Sequence, residues 1–408
     1  MPATENSVNR DIFDRVGKMS RGNRNRDLFL SLRIRDEMAI IRALAFHAPN
    51  YNRSLTRDYF DDLLRFTSAF KRTTKSFKTN IWTKRMVLPR SDVVGNTSLY
   101  ELAQEAQDAA KALDAQLVAL PLGKVKAEDL GTQISDSFRD TSTSFFSIKA
   151  ADIEEDLSNI DVISLAALIK QIAKNVGPES CSRFAVAYGG QPETAYFPDT
   201  ASKKEGFSIS SRYVPDLSKC IKKHGARGIE SAMREIFSKL NEEAKKASVD
   251  SGLDYIGLDA SISPWMDESI ALLIAELIED EFGGPGTYHA VHALNSEMLK
   301  ASRSMRTGGF NEIMLPVGED DELKRLASKG QVDLNLLVSL ISVCVAGLDM
   351  VVLPLSTPDK KLAKLLLDVF SIAQRRKKQL GVRILLADDK PGNWVKLGRF
   401  GSAPVMSI

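Results

Sequence analysis

Short apolar runs recur along this chain, each stopped by glycine, proline or a polar turn, and most lead into a longer segment with helical spacing. Ile40–His47 is one such run, leaving through Ala48–Asn50. Behind it Tyr59, Leu63, Leu64, Phe66 and Phe70 fall near the 3.6-residue period of a helix. Asn80–Leu88 ends at Pro89, an alanine-rich amphipathic stretch covers Leu99–Leu113, and Gln116–Leu122 stops at Gly123. Ser164–Val176 reads as a helix, and Arg183–Tyr188 as a strand running into Gly189-Gly190. The rhythm continues through the helical Gly225–Val249, the strand Tyr255–Leu258, the helices Glu268–Glu281 and Gly286–Arg303, and a strand at Glu312–Val317. Leu334–Cys344, Asp349–Leu355, Lys360–Leu380 and Val382–Ala387 close the series. Parallel strands need a long crossover, and a helix supplies it, so repeated strand–helix alternation predicts an α/β fold with parallel strands. About eight to ten strand candidates arise in this way.

No low-complexity linker or internal repeat divides the chain, so residues 37–408 are expected to form one large α/β domain. The acidic run Asp152–Asp161 is the best candidate for a surface insertion or boundary, and residues 1–36 form a basic extension. Within it Met19–Arg26 can be an anion- or RNA-binding arm, or a solvated terminus or oligomer contact.

With 408 residues, 43% hydrophobic and 26% charged, the composition is that of a globular protein. A net charge of +2 gives no global electrostatic case for nucleic acid. Cys181, Cys220 and Cys344 are odd in number and widely spaced, which fits neither a disulfide framework nor a zinc site and predicts a reducing, cytoplasmic setting. Met1–Arg26 lacks an apolar signal core, and no segment is apolar for the length of a membrane span.

The densest punctuation lies between Asp254 and Gly392, where apolar runs meet turns carrying carboxylates, hydroxyls or a thiol. Strand ends deliver reactive groups to a shared site in this way, so the stretch points to a small-molecule pocket. In Phe282–Thr287 (FGGPGT), Gly284 and Gly286 permit a tight turn into a helix that Thr287 can cap. Free amides at such a helix start suit an anion, while a plain packed turn explains the same residues. Asp259, with Ser261 beside it in DYIGLDASISP, can hold a divalent cation, bind a substrate hydroxyl, or cap a helix. Cys344 follows an apolar segment and precedes Asp349; it can be a small buried hydrophobe or, given a nearby base, a nucleophile. His289 and His292 share a helix face, which suits packing or a surface role as well as it suits a base. Glu319 and Asp320 offer carboxylates at a turn that solvation alone can also explain. Arg383 and Lys390 can hold an anion or neutralise Asp388 and Asp389.

Several of these blocks together resemble the domain of unknown function 711 family, also called uncharacterised protein family 0210. The matching landmarks are Ile41–Phe46, Phe197-Pro198 with Gly206–Ile209, GLDASISP, FGGPGT, MLPVGED, VCVAGLDMVVLP and Arg383 with Lys390-Pro391-Gly392. The resemblance implies an α/β barrel of about ten strands, like the pyruvate formate-lyase and glycyl-radical-enzyme fold with a hairpin loop inside. It places Cys344 in a loop equivalent to that inner finger. Gly398-Arg399-Phe400-Gly401 does not match a glycyl-radical context, so radical chemistry is not expected. The chain departs from the family pattern at Val345-Ala346 and Ser356-Thr357.

The functional expectation is a non-radical hydrolase, lyase or isomerase acting on a small anionic metabolite at the barrel mouth. Asp259, Cys344, Asp349 and Glu319 would be catalytic, with Ser261, Gly284, Gly286, Thr287, Arg383 and Lys390 binding the substrate. A divalent cation and a homo-oligomer fit this expectation; membrane and nucleic-acid partners do not. The alternative is a non-catalytic ligand-binding or assembly protein that keeps the barrel, motivated by the two departures and the basic extension.

Overall fold

The computed structural model describes residues 39–51, 55–91, 98–124, 130–343 and 346–408. The basic extension and Cys344 therefore lie outside the described residues. The fold is mixed α/β, built on a nine-stranded, mainly parallel sheet. In chain order its strands are β1 (Ile40–His47), β2 (Ile81–Val87), β3 (Leu117–Leu122), β4 (Ser144–Ala151), β5 (Phe184–Tyr188), β6 (Gly206–Arg212), β7 (Tyr255–Asp259), β8 (Gly347–Pro354) and β9 (Leu380–Ala387). Their spatial order is β7-β6-β1-β2-β3-β4-β5-β9-β8. β1 through β5 run parallel, while β6 meets β1 and β9 meets β5 in antiparallel fashion. A small ribbon of β10 (Trp394–Lys396) and β11 (Ser402–Pro404) follows.

Each strand splits its side chains between two environments, as the pleat requires. Leu44, Phe46, Met86, Val118, Phe146, Val186 and Ile209 join the large core beneath the helices. The opposite side carries Ala43, Ala45 and Val87, with Ala195 packed among them, and then a set of polar groups. Small side chains there leave room that a helix-facing core would fill, and this side of the sheet holds the pocket described below.

Local signals start the covering helices. Ser98 and Glu101 form a reciprocal capping box at Leu99–Ala112, and Asp161 accepts from Ser164 N at the start of Val162–Cys181. The acidic run 152–161 is the mostly exposed connection between β4 and that helix. Asp320 is fully buried. It accepts from the N–H groups of Glu322 and Leu323 at the start of Asp321–Ser328, and from Ile270 and Ala271 at 2.8 and 3.3 Å at the start of Ile270–Ile278. The solvated-turn reading of Asp320 is thereby corrected: one carboxylate joins two helix N-termini.

Two element expectations change. Glu312–Val317 makes a single isolated bridge, Ile262 to Ile313, and then turns at Val317–Glu319 instead of forming a strand. Asn311 sits in the left-handed region at φ 52°, and Pro316 has no N–H to give a ladder, so regular pairing fails on both sides. In the other direction, Ser144–Ala151 is a buried central strand that the sequence pattern does not single out.

Candidate functional site

Three strand arginines point away from the helix-facing core into one cavity of about 100 Å³: Arg42 on β1, Arg85 on β2 and Arg383 on β9. A polar residue at an inward strand position costs desolvation unless it is paired, so their partners define the site. Glu319, held in the Val317–Glu319 turn, accepts from Arg42 Nη2 through Oε2 at 2.6 Å and from Arg383 Nη2 through Oε1 at 3.0 Å. Arg383 also donates Nε to Asp349 Oδ1 at 2.5 Å and Nη2 to Asp349 Oδ2 at 2.8 Å, a two-pronged pairing with β8. Arg42 gives Nη1 to Pro264 O at 2.7 Å and to Ser263 Oγ at 3.2 Å. Its guanidinium lies 5.5 to 5.7 Å from the ring centroids of Trp265, Trp82 and Tyr196.

Burial alone would raise the carboxyl pKa of Glu319, yet Arg42, Arg383 and Arg399 outweigh it and leave it below the usual range. Arg383 shows the mirror image: burial pulls its pKa down, and Asp349 with Glu319 carries it above the ordinary guanidinium value. This part of the site is a closed network of paired charges.

Two cations stand outside that network. Arg85 is buried and donates Nε to Thr83 Oγ1 at 3.0 Å and Nη1 to Ala195 O at 2.8 Å, with its guanidinium 5.1 Å from the Phe197 ring. It makes no ion pair among the described residues. Burial first, then repulsion from Arg42 and Arg399, lowers its pKa; an arginine nonetheless stays cationic at neutral pH. Arg399 lies at the cavity edge, 4.8 Å from the Phe400 ring and 5.9 Å from Phe145, also without an ion pair among the described residues. The four guanidinium groups therefore face two arginine-paired carboxylates, Glu319 and Asp349, which leaves two cations in excess.

The third carboxyl in the cavity behaves differently. Asp199 is 5% exposed, and neither side-chain oxygen has a hydrogen-bond partner among the described residues. Burial, with the Asp349 charge adding repulsion, pushes its pKa well above the usual carboxyl range. Asp199 follows the cis Phe197-Pro198 bond, in a segment whose Ala195 carbonyl accepts from Arg85.

Of the residues expected from sequence, the structure brings Glu319, Asp349 and Arg383 together on this cavity. Arg383 pairs with Asp349 and Glu319 instead of Asp388 and Asp389. Asp259 and Ser261 stand behind the lining. Asp259 accepts Thr194 Oγ1 at 2.5 Å and Phe310 N at 3.0 Å on Oδ2. On Oδ1 it accepts Ser261 Oγ at 2.5 Å, Ser261 N at 3.1 Å and Asn311 N at 3.2 Å. That carboxylate clamps three chain segments, one of which contributes Phe310 to the cavity wall. Gly284, Gly286 and Thr287 lie outside the cavity lining, in the turn that opens the helix Thr287–Ser302. There Gly286 takes φ 97° and Thr287 Oγ1 accepts Gly283 N at 2.9 Å. Lys390 is exposed and likewise outside the lining. Cys344 lies outside the described residues; Ala346 and Gly347 line the cavity.

His289 and His292 are exposed on the helix Thr287–Ser302. His47 is buried with Nε2 2.7 Å from Ser208 Oγ, and burial lowers its pKa to about 3, so it is neutral. Among the described residues no three His, Cys, Asp or Glu side chains converge as a metal-binding group. Among them, too, no helix is long and apolar enough to cross a membrane.

Sequence reasoning did not single out Arg42, Arg85, Asp199, Arg399 or Tyr196. A usable signal was present for two of the strand arginines. IIRALAFH and VRILLA each carry an arginine within a run of apolar residues, where an unpaired cation is too costly to be incidental, whereas Arg85 follows Thr83 and Lys84 in a more polar strand.

A family model described as Uncharacterised ACR (DUF711) matches residues 45–398. A UPF0210 protein of Lacticaseibacillus casei is 32% identical over 164 residues, covering 39% of this chain and 36% of the relative. Another from Sulfurisphaera tokodaii is 26% identical over 277 residues, 61% of this chain and 59% of the relative. A third, from Methanopyrus kandleri, is 27% identical over 289 residues, 64% and 62% respectively. The chain thus spans between about a third and three fifths of the length of these relatives. The chain belongs to the DUF711 family.

Proposed function

We propose that this member of the DUF711 family is a non-radical enzyme, a hydrolase, lyase or isomerase, acting on a small anionic metabolite held in the arginine-lined pocket. One observation carries the reading: Arg85 is a buried cation with no carboxylate partner among the described residues, on the wall of an aromatic-lined cavity. An uncompensated buried charge is costly, and a ligand anion supplies the missing partner. The paired Arg42, Glu319, Arg383 and Asp349 hold that wall in place. In this reading Asp349, a quarter exposed to the cavity, serves in acid–base chemistry, and Cys344, two residues before Ala346, is retained as a nucleophile or acid.

The same reading takes the sheet as a barrel. Its edges, β7 and β8, would be joined by residues 306–320. Supporting this are the bridges Leu258 to Thr307, Ile262 to Ile313 and Met266 to Asp320, and the Ala346 N to Ile313 O bond of 3.0 Å. A cytoplasmic homo-oligomer belongs with the proposal; light scattering at graded concentrations checks the association.

The second reading is a non-catalytic ligand-binding protein. It draws on the fact that all four carboxylate oxygens of Glu319 and Asp349 already accept arginine N–H groups. To separate the two, the protein is incubated with a mixture of small carboxylates and phosphate esters followed by mass spectrometry. Consumption of one component, lost in Arg85→Met, supports the enzyme. Retention of a component without turnover supports the binder, and neither outcome rules out both.

A further inference from the structure

We infer that Asp199 is the proton donor of this pocket: its carboxyl O–H is held free, in a cavity lined by guanidinium groups, to donate to an anionic oxygen of the bound ligand. The inference rests on the anion-site reading above and adds the group that acts on the anion. Three observations on geometry support it. Asp199 is 5% exposed and lines the same cavity as Arg85, Arg383 and Asp349. Among the described residues both its oxygens lack partners, although nearly every buried polar atom in a folded protein has one, and a ligand entering the cavity would supply the missing partner. Room for the carboxyl is provided across the sheet by Gly381, where a Cβ would stand 3.0 Å from Asp199 Oδ2.

Arg42 and Arg383 are engaged elsewhere, and Arg85 and Arg399 make no ion pair with Asp199 among the described residues. Arg383 is committed to Asp349 and Glu319, and Arg42 to Glu319, so Asp199 sits among cations without being ion-paired. The nearby Asp349 charge and the loss of water both favour the protonated form. A carboxylic acid kept neutral by burial and a neighbouring negative charge can donate a hydrogen bond as a carboxylate cannot. In turnover the Asp199 O–H bond breaks as a hydrogen–oxygen bond forms on the substrate. The electron pair stays on Asp199 as a carboxylate, and water returns the proton once product has left. The shared ligand chemistry is an anionic oxygen acceptor, whether carboxylate or phosphate.

Trp82 and Trp265 line the cavity, so tryptophan fluorescence reports its occupancy. Wild type, Asp199→Asn and Arg85→Met are titrated with benzoate and, separately, with inorganic phosphate from pH 5 to 9 at constant ionic strength. The wild-type affinity is expected to fall about tenfold as Asp199 ionises, a loss of roughly one hydrogen bond to a charged group. Asp199→Asn keeps a donor and loses the titrating proton, so its benzoate affinity stays flat with pH at the wild-type low-pH level, and its phosphate affinity follows only the second ionisation of phosphate itself. The probe that shows this pattern identifies the anion class. A pH slope unchanged in Asp199→Asn overturns the proton-donor assignment while leaving the anion site standing. No binding of either probe to wild type at any pH overturns the site itself, and the assignment with it. Should Asp199→Asn fail to fold, infrared spectra of the wild type decide. A protonated-carboxyl stretch at pH 7 that shifts when the probe binds supports the assignment, and its absence overturns it.

Discussion

Arg383 meets Asp349 fork to fork, Nε on Oδ1 at 2.5 Å and Nη2 on Oδ2 at 2.8 Å, and so ties β9 to β8 on the cavity side of the sheet. The same Nη2 reaches Glu319, whose other oxygen takes Arg42 from β1. The sheet's far edge and its middle are thus joined through one buried glutamate. Removing one member leaves the others uncompensated in a poorly solvated place. Arg383→Met is expected to cost about 3 kcal/mol of stability, measured by urea unfolding. A loss below about 1 kcal/mol would mean that the network is peripheral.

Asp199 gives a pH prediction with a definite sign. Its folded pKa is raised, so the unfolded chain ionises first as pH climbs, and the unfolded state then holds fewer protons than the folded one. The contribution is fully present below the ordinary carboxyl range and is lost progressively up to the folded pKa of Asp199. Wild type minus Asp199→Asn, compared by melting temperature at each pH, should therefore decline with rising pH and then level off. A difference that grows with pH would contradict the assignment.

Asp259 was one of four catalytic candidates from sequence, yet its carboxylate accepts five hydrogen bonds and no Asp259 atom lines the cavity. Replacing it with asparagine turns one acceptor into a donor facing other donors. Asp259→Asn is expected to lose about 2–3 kcal/mol of stability in urea unfolding. If stability is unchanged while ligand turnover disappears, the clamp is secondary and a direct chemical role stands.

Gly309 offers an independent check on that clamp. It takes φ 84°, and a Cβ there would stand 2.0 Å from Asp259 Oδ2. Gly309→Ala combines backbone strain with displacement of the carboxylate, so a loss of about 2–3 kcal/mol is expected by the same unfolding measurement. The double variant Gly309→Ala with Asp259→Asn should cost less than the sum of the two, because both act on one contact. Full additivity would place the effect of Gly309 elsewhere.

What could be read from sequence divides along physical lines. Strands such as Ile40–His47 were legible because their helix-facing residues are bulky and apolar and their ends carry turns. The same run hid Arg42, since a single polar letter within an apolar stretch weakens a pattern without explaining itself. Glu319, Asp349 and Arg383 were legible as chemistry-bearing turn and strand-end residues, but their pairing was not, because it joins distant segments. Glu312–Val317 has strand composition, and its fate was decided by Pro316 and the left-handed Asn311. Asp199 was not legible as a site residue because its isolation depends on burial beside Gly381 and on the charge of Asp349, which no local window contains.

The most direct test of the central claim is a fluorescence titration of wild type and Arg85→Met with benzoate and inorganic phosphate at pH 6. If the pocket is an anion site completed by Arg85, wild type saturates with at least one probe and Arg85→Met binds it about tenfold or more weakly, the scale of a lost charged hydrogen bond. Equal affinity in the two proteins, or no saturation by either probe, would contradict it.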